Sequence, residues 1–165
     1  MQLGVEAVSE GYSTTPLPRK LGLGGEIVFT VRHAPDGFAE LLAADGGTGD
    51  AVWQQSLLAP LDVVIAFHTR RDLLVAEWPK LTSPLAPAGA VWIAWPKKTS
   101  GVATDITEDV LRAELLPTGW VDNKVCAIDA TWSGLRFVKR KELRRPKDAA
   151  AAAKGKLRPA PKRGR

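Results

Sequence analysis

Two stretches of the chain are apolar at almost every position, Asp62-Val-Val-Ile-Ala-Phe67 and Ala90-Val-Trp-Ile-Ala-Trp95. Runs of that length without polar alternation predict strands covered on both faces, as in a parallel sheet. Glu26 to Val31, rich in β-branched and aromatic residues, predicts another strand, and Ala51 to Leu58 a marginal one. Short helices are expected at Pro16 to Leu21 and at Asp36 to Ala43, the second stopped by Gly46-Gly-Thr-Gly49. Arg70 to Leu81 places Leu73, Leu74, Glu77 and Trp78 at helical spacing, with Pro79 expected to bend or end the segment. Pro84 to Gly89 reads as a turn into the strand at Ala90.

Asp105-Ile-Thr-Glu108 matches a capping box, so a helix is expected to open at Asp105, with Ile106, Val110, Leu111 and Leu115 on its apolar face. Val121 to Ile128 and Leu135 to Val138, separated by Asp129-Ala-Thr-Trp-Ser-Gly134, predict an antiparallel hairpin. Strands alternating with helices give the fold class: α/β, a trimmed Rossmann-like and mostly parallel sheet, helices on both faces, and that C-terminal hairpin.

Composition changes this picture mainly at the ends. A chain of 165 residues holds one domain of ordinary size. Residues 1–10 read as a flexible arm, 11–140 as the α/β domain and 141–165 as a disordered basic tail with almost no large apolar residue. From Lys139 onward there are twelve Lys or Arg against Glu142 and Asp148, whereas residues 1–138 hold eleven basic and sixteen acidic side chains. Such a tail suits weak, salt-sensitive contact with nucleic acid or another polyanion through residues 139–165. No signal peptide or membrane-length apolar run is visible, and the single cysteine, Cys126, forbids an internal disulfide. A cytoplasmic location without membrane contact is expected.

Candidate chemistry gathers where the predicted strands end. His33 follows the first strand, His68 follows Phe67, and Lys97 and Lys98 follow Trp95. Ligands of open α/β sheets bind beyond the carboxyl ends of the strands. The four residues, with Thr99, Ser100 and the helix start at Asp105, are therefore candidates for an anionic small-molecule site. Trp132 could pack on its neighbours or stack on a ring, and Arg136 could clamp a carboxylate or phosphate. Gly22-Leu-Gly-Gly25 and Gly46-Gly-Thr-Gly49 do not follow a strand and open a helix, so they read as turns. Cys126 sits in an apolar run and reads as a small hydrophobe. Two isolated histidines lack metal-ligand spacing, so no metal is expected.

Gly11-Tyr-Ser-Thr-Thr-Pro-Leu-Pro-Arg-Lys-Leu-Gly22, Leu85-Ala-Pro-Ala-Gly-Ala-Val-Trp-Ile-Ala-Trp-Pro-Lys-Lys98 and Val121 to Phe137 resemble a bacterial family catalogued as domain of unknown function 3052. That resemblance covers Gly11 to Arg140 and implies a bacterial protein with no assigned activity. Asp62-Val-Val-Ile-Ala, a helix, then Leu85 to Ile93 more distantly resembles the fourth and fifth strands of class I methyltransferases. Where that family carries Gly-x-Gly-x-Gly for S-adenosylmethionine, this chain has Arg32-His-Ala-Pro-Asp-Gly37. The sequence reading is thus a small Rossmann-like binding module with an anionic ligand and no cofactor. Its alternatives are a reduced S-adenosylmethionine-dependent methyltransferase-like enzyme, and an accessory protein tethered by its tail.

Overall fold

The two apolar runs become β3 (Leu61–Phe67) and β4 (Leu85–Pro96), which lie side by side at the centre of a six-stranded sheet. The structure is a computed structural model that describes residues 15–144. With β1 (Val28–Arg32), β2 (Val52–Trp53), β5 (Trp120–Ala127) and β6 (Trp132–Lys139), the strand order is β2-β1-β3-β4-β6-β5. β1 to β4 pair in parallel, while β6 runs antiparallel to both β4 and β5. The expected mostly parallel α/β architecture and the C-terminal antiparallel pair are both present.

Because successive strand residues face opposite ways, each central strand feeds two cores. One holds Phe29, Ile65, Phe67 and Trp92 under α1 (Leu17–Lys20) and α2 (Phe38–Ala43). The other holds Val64, Ala66, Val91 and Ile93 under α3 (Arg71–Thr82) and α4 (Glu108–Leu115). Burial of each large apolar side chain contributes about 1.5–3 kcal/mol, so this double cover is what makes the unbroken apolar runs useful. Gly134 is buried against Trp92, and a Cβ there would stand 3.1 Å from the Trp92 ring, tighter than ordinary contact. No helix among the described residues is long and apolar enough to cross a membrane.

Several local expectations are corrected. The marginal strand over Ala51–Leu58 shrinks to Val52–Trp53, paired only with β1. Pro84 to Gly89 is no separate turn, because β4 already begins at Leu85. The turn residues are absorbed as a bulge: Leu61 pairs Leu85, and the next pair is Val63 with Ala90. Pro79 does not end α3, which continues to Thr82. Both Pro79 and Val75, whose carbonyl loses its helical donor, lie on the exposed side of that helix.

The capping box is displaced. α4 starts at Glu108, and its cap is Thr107, whose hydroxyl accepts from the Val110 N–H at 3.1 Å. The Asp105 carboxylate instead accepts from the Arg71 N–H at 2.7 Å, so it caps α3 across a separation of 34 residues. At the other end, Arg140 and Arg144 bond back to the Gly119, Leu116 and Lys139 carbonyls, carrying ordered structure past Arg140. The tail beyond residue 144 and the arm at residues 1–10 lie outside the described residues.

Candidate functional site

The order of the sheet defines where a ligand would find an opening. From β1 the chain crosses one face through α2 to the outer strand β2; from β3 it crosses the opposite face through α3 to β4. The connections diverge between β1 and β3, leaving a crevice at their carboxyl ends, the usual ligand position in open α/β sheets. A cleft of about 490 Å³ lies there, lined by Arg32 at the end of β1 and His33 just after it, Phe67 to Thr69 at the end of β3, α3 residues including Glu77 and Lys80, and Trp132.

Its polar centre is Glu77. His68 Nε2 lies 2.7 Å from Glu77 Oε1, and His33 Nε2 lies 3.1 Å from both carboxylate oxygens. Arg32 donates from Nε to Oε2 at 3.1 Å. The two imidazoles meet edge-on with their ring centres 5.1 Å apart. His68 is only 6% exposed, whereas His33 is half exposed and adopts a left-handed backbone, φ 61°. Such a φ is uncommon outside glycine and, once observed, points to a site where geometry is held by its surroundings.

Electrostatics fit one carboxylate shared by several donors. Burial pushes the His68 imidazole below its ordinary value and outweighs the opposing pull of the Glu77 hydrogen bond and charge. Burial alone would raise the Glu77 carboxyl, but the His68 hydrogen bond, the His33 charge and Arg32 outweigh it and hold it below its ordinary value. At neutral pH this is an ionised carboxylate facing a neutral buried imidazole.

Aromatic packing forms another wall. Phe67 meets Trp132 edge-on at 5.0 Å and Phe38 at 4.9 Å. Trp132 is the first residue of β6 rather than the tip of the hairpin, and it both packs on its neighbour and lines the cleft.

Of the residues singled out by sequence, the structure brings together His33, His68 and Trp132. Lys97, Lys98, Thr99 and Ser100 do follow the end of β4, but in a 3₁₀ turn that does not line this cleft. The Lys97 N–H is bound to the Thr131 carbonyl, and the Ser100 hydroxyl donates to the Lys97 carbonyl while accepting from the Val102 N–H. Asp105 is occupied as the α3 cap. Arg136 lies partway along β6 opposite Trp92 and donates to Asn123 Oδ1 at 3.2 Å, also outside the cleft. Burial raises the Cys126 thiol above its ordinary value, which suits the packing role.

Sequence reasoning missed Glu77, Arg32 and Lys80. Glu77 carried a signal: a carboxylate beside Leu74, Trp78 and Leu81, the buried stripe of α3. The two glycine clusters are turns, as expected, but they also face one another across a second hollow of about 560 Å³.

No family model matches this chain, and no curated protein matches it. Solved structures do. The chain is similar to a Sulfolobus solfataricus protein named for the type 11 methyltransferases, with TM-score 0.54 and 12% identity over 76% of this chain and 90% of that one. It is also similar to a SAM dependent methyltransferase from Aquifex aeolicus, with TM-score 0.51 and 11% identity over 82% and 98%. The fold is a Rossmann-like methyltransferase fold. This corrects the expectation of no cofactor: the matched fold includes a protein that depends on S-adenosylmethionine, and the cleft stands at the switch point of that fold.

Proposed function

We propose that this chain is a reduced methyltransferase-like protein that takes an S-adenosylmethionine-class ligand in the cleft between the ends of β1 and β3. The observation that carries the reading is the position of that cleft, at the divergence of the two crossovers in a methyltransferase fold. Membership of the bacterial family catalogued as domain of unknown function 3052 is part of the same reading and rests on the three motifs alone.

The residues present fit the two ends of such a ligand. Phe67 and Trp132 offer an aromatic wall for a base, and Arg32 and Lys80 bring cations for an amino-acid carboxylate. The departure lies in the turn Arg32–Gly37, where side chains rather than a glycine loop would hold the ligand. When bound, the ligand supplies a methyl group on a cationic sulfur. The chain's own contribution is the Glu77 cluster, in which an ionised carboxylate faces His68 Nε2 at 2.7 Å and His33 Nε2 at 3.1 Å.

Titration calorimetry with S-adenosylhomocysteine and S-adenosylmethionine tests this reading. Saturable heat at one site is expected, and Trp132→Ala should weaken binding by up to about tenfold if an aromatic contact of about 0.5–1.5 kcal/mol is lost. No heat from either ligand at millimolar concentration would end it.

A further inference from the structure

We propose that His33, His68 and Glu77 form a binding site for one divalent transition-metal ion. The inference concerns these three side chains and does not depend on the nucleoside ligand. Their donor atoms all lie within 4.8 Å of one another. Metal–ligand bonds of about 2.0–2.1 Å in tetrahedral geometry place neighbouring donors roughly 3.3 Å apart. The two imidazole–carboxylate edges, at 2.7 Å and 3.1 Å, are already close to that separation. Closing the remaining edge falls to His33, which is half exposed and would exchange its contact with the two Glu77 oxygens for the ion while buried His68 stays in place.

The division of labour on the carboxylate supports this. Both imidazoles reach Oε1, the oxygen that a shared ion would take, while Arg32 holds Oε2. His33 also reaches Oε2 at 3.1 Å, so its ring sits between the two oxygens. Metal-bound carboxylates are commonly oriented by a hydrogen bond to their second oxygen, and Arg32 is placed to supply it. His68, buried at the end of β3, fixes the floor of the site, and its backbone N–H is tied to the Ala94 carbonyl at 2.9 Å.

Donor chemistry narrows the ion. Two imidazoles and one carboxylate suit Zn²⁺, Fe²⁺ or Co²⁺, whereas Ca²⁺ and Mg²⁺ require mostly oxygen donors. Three protein donors leave a coordination position open, the arrangement of reactive rather than purely structural sites. Arg32 and Lys80 on the lining of the same cleft would favour an anionic oxygen on that position. The donors are 35 and nine residues apart and come from two strand ends and a helix, so no spacing motif announces them.

The test uses the full-length protein, stripped with chelator and then dialysed against Zn²⁺. One equivalent of bound zinc is expected by elemental analysis. Co²⁺ titration is expected to give visible absorption bands of a four- or five-coordinate nitrogen–oxygen site. His33→Ala removes a half-exposed side chain and should fold, as far-UV circular dichroism will verify. It is expected to weaken Zn²⁺ binding by more than the roughly 10–100-fold typical of losing an outer-shell partner and to abolish the cobalt bands. Glu77→Gln should act likewise. Less than half an equivalent of zinc in the wild-type protein, or equal retention by folded His33→Ala, would overturn the proposal. Neither measurement includes a nucleoside, so failure here leaves the calorimetric test of that ligand intact.

Discussion

Trp92→Ala is expected to destabilise the protein by about 3–5 kcal/mol, the usual range for removing a buried large aromatic side chain, with about 1–3 kcal/mol more for the acceptor it strands. Trp92 is fully buried in the middle of β4, between Ile65 of β3 and Arg136 of β6. Its indole N–H donates to the Leu21 carbonyl at 3.0 Å, which pins the segment after α1 onto the sheet from 71 residues away. Gly134 leaves the space its ring occupies. Domains of this kind have total stabilities of about 5–15 kcal/mol, so the variant should unfold at much lower urea or be unfolded at the outset. Trp92→Phe keeps most of the apolar volume but strands the same acceptor, so a smaller loss, about 1–3 kcal/mol, is expected. Urea denaturation followed by circular dichroism separates the two. Equal, sub-kcal losses would mean that the ring is not the pin described.

The second large effect falls on the cleft. Glu77→Ala removes the carboxylate that His33, His68 and Arg32 share. Buried His68 then loses its partner, which is expected to cost about 1–3 kcal/mol. Glu77→Gln keeps an acceptor oxygen but no charge and should lose less. His33→Ala should lie within about 0.5 kcal/mol of wild type, as exposed substitutions usually do. The expected ranking by urea midpoint is Glu77→Ala lowest, then Glu77→Gln, then His33→Ala. A Glu77→Ala protein as stable as wild type would show that the cluster is no more than a surface arrangement.

The centre of the fold was legible because β3 and β4 are buried on both faces, and a strand so placed leaves an unbroken apolar run. The outer parts were less so. β2 contributes two residues and gains little from pairing on one side, so Ala51 to Leu58 carried no periodicity that could locate it. Asp105-Ile-Thr-Glu108 has the letters of a capping box, but Asp105 caps a different helix, and letters spaced within four residues cannot report a bond across 34.

The site followed the same division. His33 and His68 were placed at one sheet edge because strand ends are local features, and the topology then brought their rings to 5.1 Å. Lys97 and Lys98 met the same criterion but fell beyond β4, outside the crevice. Only the order of the strands, which is not local, separates the β1–β3 opening from the end of β4. Glu77 stayed hidden because its partners come from other elements. Its place on the buried stripe of α3 was the one trace it left in the sequence.

Backbone amide NMR of ¹⁵N-labelled protein titrated with S-adenosylhomocysteine tests the central claim most directly. Saturable shifts are expected at Arg32, His33, Ala34, Asp36 and Gly37, at Phe67, His68 and Thr69, and at Trp132, with Lys97 to Ser100 and Arg136 little changed. Shifts confined to residues 97–100, or a spectrum unchanged at millimolar ligand, would contradict it.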